Sequence, residues 1–332
     1  MADYGSKITD KAIAEVMKKL RKIYEQASKE LNRKMKLFTA RHQAKQKKML
    51  EQLAKGEITK AAYESWMRGQ VFIGERWKKK IDQLARLIGK KNKTAYQIIQ
   101  KIRIHVFSEN HNHSAYETEV QTGISFDIYN ETAVEKLIKE DPTMLPEWKI
   151  DEEKDYIWNR QKVENAVTQG IIQGESVDQI ADRLAKELSS TNMNKMRLFA
   201  RTAMVGAQNA GVQKQMEEAE KQGIEMEKRW LATLDNRTRD THQELDGQQV
   251  AVKDSFKVKV KGKTEAIRYP GDPSAIPCLV YNCRCTMISV LKGVDRKTVR
   301  RAYEEDENGY RKSYIVEGLT YKEWLKRKGA GT

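Results

Sequence analysis

The chain has 332 residues, 39% hydrophobic and 33% charged, a balance that suits elongated helical parts better than one large globule. No apolar run is long enough to cross a bilayer, and Met1-Ala2-Asp3-Tyr4-Gly5 is not a basic-then-apolar leader, so the sequence predicts a protein made in a cytoplasm with no membrane partner. The net charge is +15, and it is segregated: residues 1–100 hold 25 Lys+Arg against 10 Asp+Glu, while residues 101–332 hold 37 of each. A polyanion, with nucleic acid the commonest, is the implied partner of the first third.

Residues 8–54 place apolar side chains at Ile13, Val16, Leu20, Ile23, Ala27, Leu31, Met35 and Phe38. Steps of three and four make this a helical seam close to a heptad. Gly56 stops it and Thr59 has the chemistry of the next N-cap. A second helical pattern follows through Trp66, Trp77, Ile81, Leu84 and Ile88, so a helical hairpin is expected. Three lysine clusters decorate it: Lys45, Lys47 and Lys48; Lys78, Lys79 and Lys80; and Lys90, Lys91 and Lys93. They suit phosphate contact without base reading, since no zinc-finger or recognition-helix pattern accompanies them. Double-stranded DNA is the expected ligand.

Residues 94–130 read as less regular. His105, His111 and His113 lie there without a partner acid or cysteine at ligand spacing, so loop histidines are expected rather than a metal site. Gly123 to Tyr129 alternates like a short strand. Asp141-Pro142 and Leu145-Pro146 mark a connecting segment. Beyond it come a helix from Glu152 to about Gly170, a helix opened by a Ser176–Gln179 capping box, and a longer one over roughly 194–222 ended by Gly223. The period then changes. Residues 225–233, 250–252, 256–260 and 285–291 read as strands, with Lys261-Gly262-Lys263 as a hairpin turn. The fold class is α+β: a long basic helical region over 1–145, a mixed domain of helices on a small antiparallel sheet over 150–295, and a charged tail over 296–332 anchored by Tyr321, Trp324 and Leu325.

The stretch from Trp230 to Cys285 concentrates the chemistry and leaves three readings open. His242, Cys278, Cys283 and Cys285 number the donors of a tetrahedral zinc site. Asp235, Arg237, Arg239, Asp240, His242 and Asp246 crowd titratable groups, and Cys283 with His242 could form a nucleophile and base. The same residues could also close a small domain by ion pairing, with a Pro–Gly return loop.

Four blocks in order carry a resemblance: R-T-A and A-x-N-A-G from Arg201 to Gly211, K-R-W-L-A-T-L-D-N-R-T-R-D-T-H-Q-E-L-D-G-Q from Lys228 to Gln248, Y-P-G-D-P from Tyr269, and N-C-R-C from Asn282. Over residues 155–291 the chain resembles the phage Mu protein F-like family, the minor head or head morphogenesis proteins of tailed bacteriophages. The matching positions are Arg201, Trp230, Asp235, Arg237, Arg239, His242, Asp246, Gly247, Pro270, Gly271, Asp272, Pro273, Asn282, Cys283, Arg284 and Cys285. The resemblance implies a portal-associated protein of the head interior that assists assembly, packaging or ejection. Its implied partners are the portal protein, double-stranded DNA, and a scaffolding or major capsid protein. It would sit in the virion, and in the host cytoplasm during assembly. Family members that resemble zinc proteins carry C-x-x-C where Arg239 and His242 stand here, and His-Pro where Val280-Tyr281 stand. No cofactor is therefore expected; zinc, if held, falls to His242, Cys278, Cys283 and Cys285. The resemblance implies a role and not a reaction. The alternative is an enzyme, a nuclease or toxin-like activity, using Asp235, His242 and Cys283.

Overall fold

The computed structural model describes residues 4–72, 75–146, 150–173, 175, 177–294, 299–305, 311–320, 323 and 326. Helix α1 spans Tyr4–Ala54, α2 Lys60–Phe72, α3 Glu75–Thr122, α4 Glu131–Glu140, α5 Glu152–Ile172 and α6 Val177–Lys221. Strand β1 (Met226–Leu231), short helix α7 (Asp240–Leu245), β2 (Gln249–Ala251), β3 (Phe256–Val260), β4 (Lys263–Ile267), short helix α8 (Pro277–Val280) and β5 (Thr286–Leu291) follow. A hairpin of β6 (Val299–Glu305) and β7 (Arg311–Glu317) comes last. The α+β expectation holds. Two compact units emerge, each discontinuous in sequence: residues 18–97 with 149–197, and residues 1–17 with 98–148 and 198–332. The segments 1–145, 150–295 and 296–332 coincide with neither.

In the first of these, the helical unit, α1 buries Leu20, Tyr24, Ala27, Leu31 and Met35. Val16 of the expected seam is buried, but Ile13 and Ile23 are only half-buried, because Ala12 and Tyr24 take the buried positions beside them; the burial of Phe38 lies outside the described residues. Thr59 accepts a hydrogen bond from the Ala62 N–H at 3.2 Å, and Gly56 turns the chain at φ +74°. The second limb of the expected hairpin is two helices, α2 and α3.

Two expectations fail because polar side chains that break helices elsewhere do not break them here. Residues 94–122 are helical throughout α3, not irregular. Asn110, Thr118 and Thr122 bond the carbonyls four residues back, and Ile99, Ile102, Val106 and Phe107 supply the buried face. Likewise the two helices expected over 176–222 are one, α6. At its polar midpoint Thr191 and Asn192 bond back to Glu187 O and Leu188 O at 2.8 Å each. Ser176 of the expected capping box lies outside the described residues. The strand expected at 123–129 joins no sheet.

In the sheet-bearing unit, β1 is central in the order β2-β1-β5 and pairs antiparallel with both neighbours, Trp230 facing Met287. Gly223 ends α6 at φ +84°, with Ile224 N–H reaching back to Ala219 O. Lys261 and Gly262, both at positive φ, make the expected turn between β3 and β4. The tail is not merely charged. The β6–β7 hairpin buries Ala302 and Val316 against Leu234, with Tyr303 N–H bonded to Leu234 O at 3.0 Å. Tyr321, Trp324 and Leu325 lie outside the described residues.

Candidate functional site

The residues from Trp230 to Cys285 form a buried centre with three layers. Innermost, His242 on α7 meets Cys285 Sγ at 3.2 Å and Cys283 Sγ at 3.6 Å, both through Nδ1. All three residues are buried. Cys285 N–H donates to Cys283 Sγ at 3.3 Å. Burial pushes the Cys283 thiol up, but the hydrogen bonds from Cys285 and the charges of Arg239 and Arg284 outweigh it and leave it below the ordinary thiol value. Burial, followed by the Cys283 hydrogen bond and charge, drives Cys285 well above that value. The Trp230 ring meets His242 edge-on at 5.6 Å and Phe256 at 5.3 Å.

The second layer is ionic. Asp235 takes a two-pronged contact from Arg284, one arm at 2.9 Å, and further bonds from Arg237 N–H at 3.0 Å and Thr238 Oγ1 at 3.1 Å. Burial raises this carboxyl, yet the Arg284 contacts prevail and hold it below the usual range. Asp246 accepts from Ala232 N–H and from Arg300 Nη1, both at 2.7 Å. Arg239 Nη1 donates to Cys278 O at 2.6 Å, tying α7 to α8. Gly247, at φ +78°, returns its N–H to Trp230 O.

The third layer is the return loop. Asp272 takes both arms of Arg268 at 2.8 and 2.9 Å, and caps Ser274. Pro270 O accepts from Asn209 of α6 at 3.0 Å, while Asn209 Oδ1 accepts from Met287 N–H at 2.8 Å. Gly271 lies so close to Gly206 that a Cβ on it would sit 2.7 Å from Gly206 N. Arg201 bonds Asn282 Oδ1 at 2.8 Å, and Asn282 takes positive φ before the C-x-C. Pro273 is half-buried beside this loop.

Three of the four candidate zinc donors therefore converge, with ligand atoms all within 4.8 Å. The His242–Cys283 separation of 3.6 Å matches the roughly 3.5–3.8 Å donor edge of a tetrahedral zinc site, while the His242–Cys285 separation of 3.2 Å is shorter. The rest of the set does not match. Cys278 is exposed and stands outside the group. His242 Nε2 is buried with no hydrogen-bond partner among the described residues, whereas a metal-ligating imidazole is normally held by a bond at its outer nitrogen. The catalytic arrangement is also incomplete. His242 and Cys283 meet, but Asp235 is held by Arg284, Arg237 and Thr238 and leaves His242 Nε2 unoriented. His111 proves to be buried on α3, bonded to Glu218 at 2.9 Å and stacked on Tyr129, while His105 pairs with Glu131.

The lysine clusters separate differently. Lys45, Lys47, Lys48, Lys78, Lys79, Lys90 and Lys93 are exposed. Lys80 and Lys91 are half-buried, with Lys91 paired to Glu30 at 3.4 Å. Consecutive residues fan about 100° apart around a helix, so runs such as 78–80 cannot share one face. Another row can. Lys18, Lys22, Lys29, Arg33 and Lys36 on α1 are all exposed and fall within about 60° of one another over roughly 27 Å. Glu25 is the one acid on that face between them. Lys29, Arg33 and Lys36, with Ser28, Asn32 and Leu37, line an open cavity of about 560 Å³. The helical unit holds 31 Lys+Arg against 16 Asp+Glu, and the other unit 31 of each. Runs of adjacent lysines do not reveal this row; steps of three, four and seven do.

Residues 161–288 match the family model described as Phage Mu protein F like protein. The chain is 29% identical over 335 residues to the minor head protein GP7 of Bacillus phage SPP1, covering 98% of this chain and 96% of that protein. It is 36% identical over 154 residues to the NAD(+)--arginine ADP-ribosyltransferase EFV of Enterococcus faecalis (strain ATCC 700802 / V583), covering 46% of this chain and 30% of that protein. No solved structure matches. The segment 161–288 contains His242, Cys283 and Cys285 with Asp235, Asp246 and Arg284, and over it the chain is similar to the Phage Mu protein F like family.

Proposed function

We propose that the protein is a minor head protein of a bacteriophage whose helical unit holds double-stranded DNA by its phosphates. The observation that carries the DNA contact is the exposed row Lys18, Lys22, Lys29, Arg33 and Lys36 in the unit that holds the entire +15. A straight row of point charges on a helix engages backbone phosphates without reading bases. Near-full-length similarity to a minor head protein supports the head role, and the resemblance adds the portal protein as the neighbour, with a scaffolding or major capsid protein beside it in the capsid interior. Assistance with assembly, packaging or ejection follows from that placement. The role is structural: the His242 centre is buried, Asp235 is committed to Arg284, and the relative that is an ADP-ribosyltransferase shares only 30% of its own length.

The test is binding of the full chain to duplexes of unrelated sequence across a salt series. Wild type should bind all of them alike, with affinity falling steeply with salt. Lys29→Gln, Arg33→Gln and Lys36→Gln together should reduce the log–log salt slope by up to about 2.7, at roughly 0.9 for each phosphate no longer neutralised. A full chain that leaves DNA unshifted at low salt overturns the DNA contact while leaving the head assignment standing.

A further inference from the structure

We propose that the β3–β4 hairpin is a phosphate-binding element of its own, a basic ribbon that lies against duplex DNA independently of the row on α1. Residues 253–265 hold five lysines, Lys253, Lys257, Lys259, Lys261 and Lys263, against Asp254 and Glu265, although their unit as a whole has no net charge. All five are exposed, and none has an ion-pair partner among the described residues. Strand alternation sets the face. Phe256 and Val258 are buried, which turns Lys257 and Lys259 to the opposite side. Their partners there on β4 are Ala266 and Thr264, both exposed and small enough to let a ligand reach the ammonium groups. The platform is anchored: Gln248 Nε2 donates to Lys257 O at 3.1 Å, and Phe256 meets the Trp230 ring edge-on.

The apex carries a second observation. Lys261 stands at φ +49° and Gly262 at φ +81°. A hairpin turn with both central residues left-handed favours Asn-Gly at those positions. Asn would serve the turn better than lysine does, and what lysine adds is a cation at the tip. Lysines also blunt open sheet edges against strand addition. That role needs no cation in the turn, where there is no edge to protect.

The chemistry of the face names the occupant. Lysine is depleted from protein–protein interfaces, and Lys257, Lys259, Thr264 and Ala266 offer no aromatic or large apolar anchor to a protein partner. The same face offers no ring on which unpaired bases could stack. It presents point charges of one sign along an extended ribbon, which suits backbone phosphates without base reading. The roughly 12 Å major groove of B-DNA admits a two-stranded ribbon, so duplex DNA is the ligand that fits both the charge and the shape.

Binding of the full chain to duplexes of unrelated sequence across a salt series tests this, with Lys257→Gln, Lys259→Gln and Lys261→Asn together. The log–log slope should fall by up to about 2.7, at roughly 0.9 for each phosphate no longer neutralised. The same fall should appear when Lys29→Gln, Arg33→Gln and Lys36→Gln are already present, so failure of the α1 row and failure of the hairpin read separately. Lys261→Asn alone suits the turn, so it should raise the thermal midpoint while lowering the slope by about 0.9. Lys257→Arg with Lys259→Arg keeps both charges and should keep the wild-type slope. A triple variant with the wild-type circular dichroism spectrum and the wild-type slope overturns the ribbon and leaves its lysines as a solvated edge. So does an unchanged slope in Lys261→Asn.

Discussion

The two units bury different kinds of polar group. The helical unit buries amides. Asn92 joins Tyr24, Asp155 and Asn192 at 2.6–2.9 Å, and Asn192 passes the chain on to Asn159 at 2.9 Å. Its charges, Asp155 apart, stay outside. The sheet-bearing unit buries carboxylates and pairs them with arginines: Asp235 with Arg284, Asp272 with Arg268, and Asp246 with Arg300. The difference fits the proposed phosphate contact. Cations kept on the surface of the helical unit stay available to a polyanion, whereas a unit of zero net charge can pair its own internally. It also separates two kinds of fragility, since an amide left without a partner costs less than a stranded ion.

Asp246→Ala is the sharpest way to break this comparison. Arg300, whose side chain is 6% exposed, would be left buried beside an empty acceptor, and we expect a loss of about 3–5 kcal/mol in urea unfolding. Asn92→Ala in the helical unit should cost about 1–3 kcal/mol by the same measurement. If the amide substitution proves the costlier, the contrast between the units is misdrawn.

Lys228 offers a subtler test. It is 1% exposed, bonded to Gln213 Oε1 at 3.0 Å, and burial lowers it to about 8. Above that value the folded state holds a neutral amine while the unfolded chain still binds the proton up to its ordinary 10.5. Stability contributed by this group should therefore rise with pH between about 8 and 10.5. A urea midpoint that rises across this window in wild type but not in Lys228→Met is the expected result. The smallest effect is the one expected at His242. We propose that the centre folds without metal, since Cys278 stands apart and His242 Nε2 lacks an orienting partner. Chelator should leave the thermal midpoint unchanged; stoichiometric zinc in the purified protein, with unfolding on chelation, overturns that reading.

What can be read from the sequence is what is decided locally. The Gly56 stop, the Thr59 cap, the turn at Lys261-Gly262 and the exit at Gly223 each depend on a few adjacent residues, and each is where the residue chemistry puts it. The polar midpoint of α6 and the His–Asn run of α3 mislead because side chains that break helices in isolation here bond the preceding turn. Of the buried centre, the convergence of His242 with the C-x-C pair is legible as a candidate donor set. The partners are not. Arg300 lies 54 residues beyond Asp246 in what reads as a charged tail, and Asn209 reaches Pro270 across 61 positions. No local pattern announces such a pairing. The row on α1 is legible only at helical spacing, because its members are never adjacent.

The contact of Gly206 with Gly271 sets an order of events. Two backbones that touch without side chains, 65 residues apart, cannot be approximated by a loose collapse; the loop finds its seat only once that turn of α6 exists. The Tyr269-Pro270-Gly271-Asp272 loop should thus be among the last parts of its unit to close during folding, and the strand β5 that follows can receive Asn209 only afterwards. A side chain at either glycine would leave the helix intact and hold the door open.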